Sequence, residues 1–117
     1  MVVRHLPDAQ ADRVFHALAD ATRRDILLRT LEGQPNVSAL ARRYPMSFAA
    51  VQKHVAVLEG AGLVTKQRKG REQLVSGDVH TMREAVRLLE QLEAVWKGRI
   101  DRIGEILAEE HNGGANP

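Results

Sequence analysis

The chain contains no cysteine, no long apolar run and no glycine-rich phosphate loop, and each absence removes a class of function. Without cysteine there is no disulfide, no Cys-ligated zinc and no thiol chemistry, and cysteine usage says nothing about compartment. No segment approaches the roughly 20 apolar residues of a membrane-spanning helix. The opening segment MVVRHLPDAQ holds no apolar stretch of signal-peptide length, so a cytoplasmic location is expected. There are no paired carboxylates in an evident pocket and no Ser/His/Asp spacing around a recognisable nucleophile turn, so neither enzymatic activity nor a cofactor is expected.

What is present suits a small folded protein. The 117 residues are 44% hydrophobic and 27% charged, ordinary values for a soluble globular chain. That length fits one domain, expected over residues 8–110 with 1–7 and 111–117 as flexible termini. The formal net charge is only +2, but many of the 17 Lys and Arg gather in short clusters, at Arg23-Arg24, Arg42-Arg43 and Lys66 to Arg71. Clusters of this kind suit a phosphate-binding face or a solvated helix surface, and their position in the fold must decide between the two.

Asp8 can cap a first helix, running to about Ala19, whose apolar positions Ala11, Val14, Phe15, Leu18 and Ala19 recur at helical spacing. Asp20 caps a second, with Ile26, Leu27 and Leu31 on one face, which Gly33 and Pro35 end. Asn36 caps a short third helix, Val37 to about Arg43, buried through Val37, Leu40 and Ala41, and Pro45 disfavours helical geometry at Tyr44. Ser47 caps a fourth, in which Val51, Val55 and Leu58 share a face and Gly60 and Gly62 close the end. Two helices joined by a turn of about three residues have the form of a helix-turn-helix. Two short β-type runs follow, Leu63 to Lys66 and Gln73 to Val75, flanking a charged segment with Gly70 near its tip.

Ser76-Gly77-Asp78 reads as a turn and cap, and the remainder to about Glu110 reads as one helix. Met82, Val86, Leu89, Trp96, Ile100, Ile103 and Leu107 form its stripe. About 30 residues of helix span roughly 45 Å, longer than a domain of this size is wide. Either the helix breaks at Gly98 or Gly104 and folds back, or its apolar stripe is covered by a second copy of the chain about a two-fold axis. The second alternative is preferred, with Phe15, Leu89, Trp96, Ile100, Ile103 and Leu107 as dimerisation residues. The expected fold is mainly α with a small β-hairpin: a winged helix-turn-helix with a long C-terminal dimerisation helix.

On the fourth helix, Ala50, Val51, His54, Val55 and Leu58 face inward, which leaves Phe48, Ala49, Gln52, Lys53 and Ala56 outward. The outward set has the chemistry of major-groove reading. Ser47 and the free amides suit phosphate, Gln52 pairs with adenine, Lys53 suits guanine or phosphate, and Ala49 permits close approach. Phe48 suits a thymine methyl or packs on the preceding turn. His54 is expected to be a partly buried, hydrogen-bonded residue, with a phosphate contact as its second reading. The hairpin carries Arg68, Lys69 and Arg71 as wing contacts, and Arg42 and Arg43 add cations beside the turn. The expected partner is double-stranded DNA, bound as a homodimer.

Leu18-Ala19-Asp20-Ala21-Thr22-Arg23-Arg24-Asp25-Ile26-Leu27, together with the stretch from Ser47-Phe48-Ala49-Ala50-Val51-Gln52-Lys53-His54 through Val64, closely resembles the ArsR family of winged-helix repressors. The resemblance covers about residues 10 to 110. It implies three helices, a recognition helix, a wing and a terminal dimerisation helix, in a homodimeric repressor that often controls its own operon. Many members sense metals, and here the chain departs from the pattern. The cysteine site before the turn is impossible. Asp78-Val79-His80 matches half of the terminal-helix zinc site, but where that pattern needs a second His and a Glu this chain has Gln91 and Ala94. Two ligands fall short of the four that zinc takes, so Asp78 and His80 are weak candidates, and Asp78 has a helix to cap. The other readings are a winged-helix protein-interaction module or antirepressor, and a metal-responsive repressor.

Overall fold

In the computed structural model residues 6–114 are described. The order of elements is α1 (Asp8–Leu18), α2 (Ala21–Glu32), α3 (Val37–Ala41), α4 (Phe48–Gly60), β1 (Val64–Lys69), β2 (Glu72–Gly77) and α5 (Val79–Gly114). Four helices start on a side chain that accepts an amide three residues ahead. Arg23 N donates to Asp20 at 3.0 Å, Ala39 N to Asn36 at 2.6 Å, Ala50 N to Ser47 at 3.1 Å and Thr81 N to Asp78 at 3.2 Å. Each satisfies one orphan helix-start amide, which is worth about 1 kcal/mol. The first helix differs from expectation: Pro7 occupies the cap position, Asp8 is the first helical residue, and no side chain caps the end. The Pro7 carbonyl accepts from Ala11 N, and Leu6 beside it is buried, so the inner end of the expected flexible segment 1–7 is anchored.

The chain divides into two compact units, residues 1–85 and 86–117. In the first, Val14 of α1, Ile26 of α2, Leu40 of α3, Val51, Val55 and Leu58 of α4, and Leu63, Val64 and Val75 around the hairpin are fully buried. Burying one such side chain is worth about 1.5–3 kcal/mol, so this cluster is what fixes the helices on one another. Ala41 and Leu31, expected on buried faces, lie elsewhere, while Phe15, expected at a dimer contact, is exposed. On α1 the buried face is Ala11, Val14 and Ala17, which leaves Phe15 exposed, and Ala41 is only half-buried. Leu31 is exposed and lies against Gly77, where a Cβ would sit 2.7 Å from Leu31 Cδ2 and 3.1 Å from the hydroxyl of buried Thr30.

The turn between α3 and α4 occupies residues 42–47, longer than the expected three. The short helix stops because Arg42 turns back on Ser38 and Leu40, and Pro45 then prevents a restart until Ser47 supplies a new cap. The hairpin is also longer than expected. Strands β1 and β2 pair antiparallel from Val64↔Gly77 to Lys69↔Glu72, so Lys66 to Lys69 belong to the ladder and only Gly70 and Arg71 form the tip. Gly70 takes φ 64°, the left-handed geometry a two-residue hairpin turn needs. Ser76 and Gly77, expected in a turn, are strand residues, which leaves Asp78 alone as the junction to α5. Gly62 (φ 79°) reverses the chain after α4, and a Cβ there would sit 2.9 Å from Gln10 Nε2.

Helix α5 runs unbroken through Gly98 and Gly104 and continues through residues 111–114, where a flexible tail is expected; 115–117 lie outside the described residues. In the second unit it is about 43 Å of helix. Met82, Val86, Leu89, Glu93, Trp96, Ile100, Ile103 and Leu107 follow one another at alternating gaps of four and three residues, the heptad spacing of helices that pair. Three mutually packed helices, a helix-turn-helix in α3 and α4, a two-stranded wing and a long final helix make this a winged helix-turn-helix, mainly α with one β-hairpin.

Candidate nucleic-acid interface

Helix α4 buries Val51, Val55 and Leu58, and the 3.6-residue period turns Phe48, Ala49, Gln52, Lys53 and Ala56 outward, where all five are exposed. At its start Ser47 Oγ accepts the Ala50 amide, which leaves the hydroxyl proton free to donate. The amides that open a helix have no intrahelical acceptor, and they point along the axis together with the positive end of the helix dipole. This end of α4 therefore has donors and partial positive charge suited to a phosphate oxygen.

A cleft of about 370 Å³ separates α4 from the wing. Phe48 and Gln52 of α4, Arg42 of the turn and Arg68 and Arg71 of the wing line it. Arg42, Phe48, Gln52, Arg68 and Arg71, read separately in the sequence, thus share one surface. The wing is held in place by the segment before α3. Val75 N donates to the Pro35 carbonyl at 2.9 Å, Asn36 bridges to Leu74, and Asn36 Nδ2 donates to Glu72 Oε1 at 3.2 Å. Asn36 therefore caps α3 with one side-chain atom and secures the wing with the other. Glu72 and this double role of Asn36 are absent from the sequence reading, since a cap motif shows only its local half.

Other expected contacts fall outside the cleft. His54 lies on the inward edge of α4 with Nδ1 3.4 Å from an Arg23 terminal nitrogen, in keeping with its hydrogen-bonded reading. Arg43 lines a separate hollow with Arg29, Glu32 and Leu40, and Lys69 is exposed at the end of β1 without lining the cleft. Lys66 pairs with Glu59 at 3.3 Å, which ties the wing base to α4, so it is no free wing cation. The cluster Arg23-Arg24 is used inside the fold. Arg23 donates to the carbonyls of Ala17 and His16, and Arg24 to that of Leu18, so both satisfy the C-terminal carbonyls of α1.

Asp25 accepts the Tyr44 hydroxyl at 2.6 Å and Arg29 Nε at 3.0 Å, joining α2 to the turn before α4. The hydrogen bond from Tyr44, then that from Arg29, lowers the Asp25 pKa, while burial and then the Asp25 bond raise that of Tyr44. At the metal candidates, Asp78 is occupied as the α5 cap and His80 Nε2 lies 3.0 Å from Glu84. Among the described residues no group of three or more His, Asp or Glu side chains could hold a metal ion. Of the expected dimerisation residues, Phe15 on α1 and Leu89, Trp96, Ile100, Ile103 and Leu107 on α5 are all exposed in the single chain. Leu92, Val95 and Ile106 widen that apolar surface and are absent from the sequence reading.

No protein-family model matches the chain. Over 67 residues it is 42% identical to the HTH-type transcriptional regulator Rv2034 of Mycobacterium tuberculosis, covering 57% of this chain and 63%, less than two thirds, of that protein. An ArsR-like transcriptional regulator from Rhodococcus sp. RHA1 has 35% identity and a TM-score of 0.75, over 84% of this chain and 92% of its own. A homodimeric winged helix-turn-helix DNA-binding domain from Mycobacterium bovis, described as a possible ArsR-family regulator, has 26% identity and a TM-score of 0.58 over 83% and 91%. With its helix order and wing, the chain belongs to the ArsR family of winged helix-turn-helix transcriptional regulators, as a member without cysteine.

Proposed function

We propose that this chain is a sequence-specific DNA-binding repressor that acts as a homodimer, with residues 8–110 working as one DNA-binding and dimerisation domain. The observation that carries the reading is the cleft in which the outward face of α4 meets the wing arginines. Helix α4 enters the major groove. Gln52 pairs with adenine, Lys53 contacts guanine or phosphate, Ala49 allows close approach and Phe48 meets a thymine methyl. Ser47, Arg42 and Arg43 hold phosphates beside the helix, with His54 at its edge, while Arg68, Lys69 and Arg71 of the wing contact the backbone or the minor groove. Two copies joined through Phe15, Leu89, Trp96, Ile100, Ile103 and Leu107 set two α4 helices about 34 Å apart on an inverted repeat. The homodimeric relative supports that assembly. Repression, including that of its own operon, follows the family resemblance, and the protein acts in the cytoplasm. Among the described residues no helix is long and apolar enough to cross a membrane.

Fluorescence polarisation on the DNA upstream of its own gene, against a random duplex at physiological salt, tests this. The upstream site should bind about a thousandfold or more tighter, and equal affinity for both would refute the reading. Gln52→Ala and Lys53→Ala should narrow that ratio. Arg68→Ala should weaken both complexes alike and flatten the salt dependence by about one unit of slope.

A further inference from the structure

The cleft between wing and α4 contains one residue of the wrong sign for a phosphate-binding surface. Arg42, Arg68 and Arg71 line it with neutral groups, and Glu72 is the only acid among the lining residues. The hairpin register places Glu72 at the first ladder position after the tip, opposite Lys69, and its side chain is exposed. Its hydrogen-bond partner is the Asn36 amide at 3.2 Å, a neutral donor that leaves the negative charge in place. None of the ion pairs found among the described residues includes it. A strand-end glutamate is usually free to swing into solvent, but this one is held against the start of α3, on the wall of the cleft that a DNA backbone would enter.

We propose that Glu72 limits sequence-independent DNA binding by holding a negative charge in the path of the phosphate backbone. The inference rests on the DNA-binding reading and deepens it. Generic affinity comes from cations that displace counterions from DNA, and it falls as about the inverse 0.9 power of salt concentration for each phosphate neutralised. A fixed carboxylate beside Arg68 and Arg71 subtracts from that count without touching base-reading residues on α4. Because random sites vastly outnumber operators in a genome, lower generic affinity leaves more of the protein free to find its operator.

The test uses the full-length protein, a random-sequence duplex and salt from about 0.05 to 0.3 M, a range over which generic affinity changes steeply. Glu72→Gln keeps an oxygen that accepts from Asn36 and removes only the charge, while Glu72→Ala removes both charge and bridge. Glu72→Gln should bind the duplex several-fold more tightly at 0.1 M salt, toward the about eightfold that one phosphate contact is worth there, with a slope steeper by about one. Glu72→Ala should bind more tightly than wild type as well. Superimposable wild-type and Glu72→Gln titrations would overturn the inference and leave the DNA-binding reading standing. Unchanged Glu72→Gln binding with weaker Glu72→Ala binding would also overturn it, since Glu72 would then act only by bracing the wing. A wild-type protein that binds no duplex at any salt would overturn the parent reading and this inference with it.

Discussion

Tyr44 lies in the turn of the helix-turn-helix, and its hydroxyl on Asp25 sets that turn against α2. A hydrogen bond to a charged acceptor is worth about 1.5–3 kcal/mol, reduced here because the Asp25 side chain is 40% exposed. Tyr44→Phe should therefore cost about 1–2 kcal/mol near pH 7, read as a lower thermal midpoint. The pH dependence has a definite sign. The Asp25 pKa is lowered from its ordinary 3.8, so its contribution is complete above that value and is lost as pH falls through the lower folded value. The Tyr44 pKa is raised from 10.0, so the bond is also lost once pH rises through that higher value. The gap in thermal midpoint between wild type and Tyr44→Phe should stay constant between about pH 5 and 9 and close at both extremes. A gap that persists at pH 2 would refute this account of the turn. Asp25 falls within the stretch that carries the family resemblance, but nothing in the sequence pairs it with Tyr44, 19 positions away. Arg23 and Arg24 mislead for a related reason: charge clustering is visible, but the carbonyls they satisfy are not.

Elements were legible to the extent that their signals are local. The caps Asp20, Asn36, Ser47 and Asp78 act within three residues, and all four stand at the expected helix starts. The wing was only half legible. Lys66-Gln67-Arg68-Lys69 has no alternating apolar pattern, yet it pairs as strand because β2 supplies the ladder and Gly70 the turn. Pro7 displaced Asp8 from the first cap because a proline already fixes its own φ and its carbonyl accepts the Ala11 amide. At α5 the alternatives were a break at glycine or one continuous rod, and the helix is continuous. Gly98 stands on the side opposite the apolar stripe, and a Cβ there would meet nothing within 4 Å. Gly98→Ala should therefore stabilise the helix by about 1 kcal/mol and raise its circular-dichroism melting midpoint. A lower midpoint would mean that the chain bends at this position.

At the scale of the whole molecule, the apolar stripe of α5 is the feature a single chain leaves unused. Its 3.5-residue spacing is that of helices which pair; Glu93 already places one charge in that seam, and a second at an apolar core position should weaken the pairing strongly. On the proposed homodimer, wild type should sediment as a dimer and Ile100→Asp as a monomer in sedimentation equilibrium at the same concentration. The variant should also bind its operator at least about a hundredfold more weakly, because one half-site contact remains where two acted together. Trp96 is the only tryptophan, so its emission reports on this surface directly and should shift to the blue as wild type dimerises. The central claim is that two α4 helices read one DNA site together. Selecting genomic fragments bound by the purified protein and sequencing them tests it most directly. The account predicts an enriched imperfect inverted repeat with half-site centres about 10–10.5 base pairs apart, or a multiple of that spacing. Fragments with no shared sequence, or with a single unrepeated element, would contradict it.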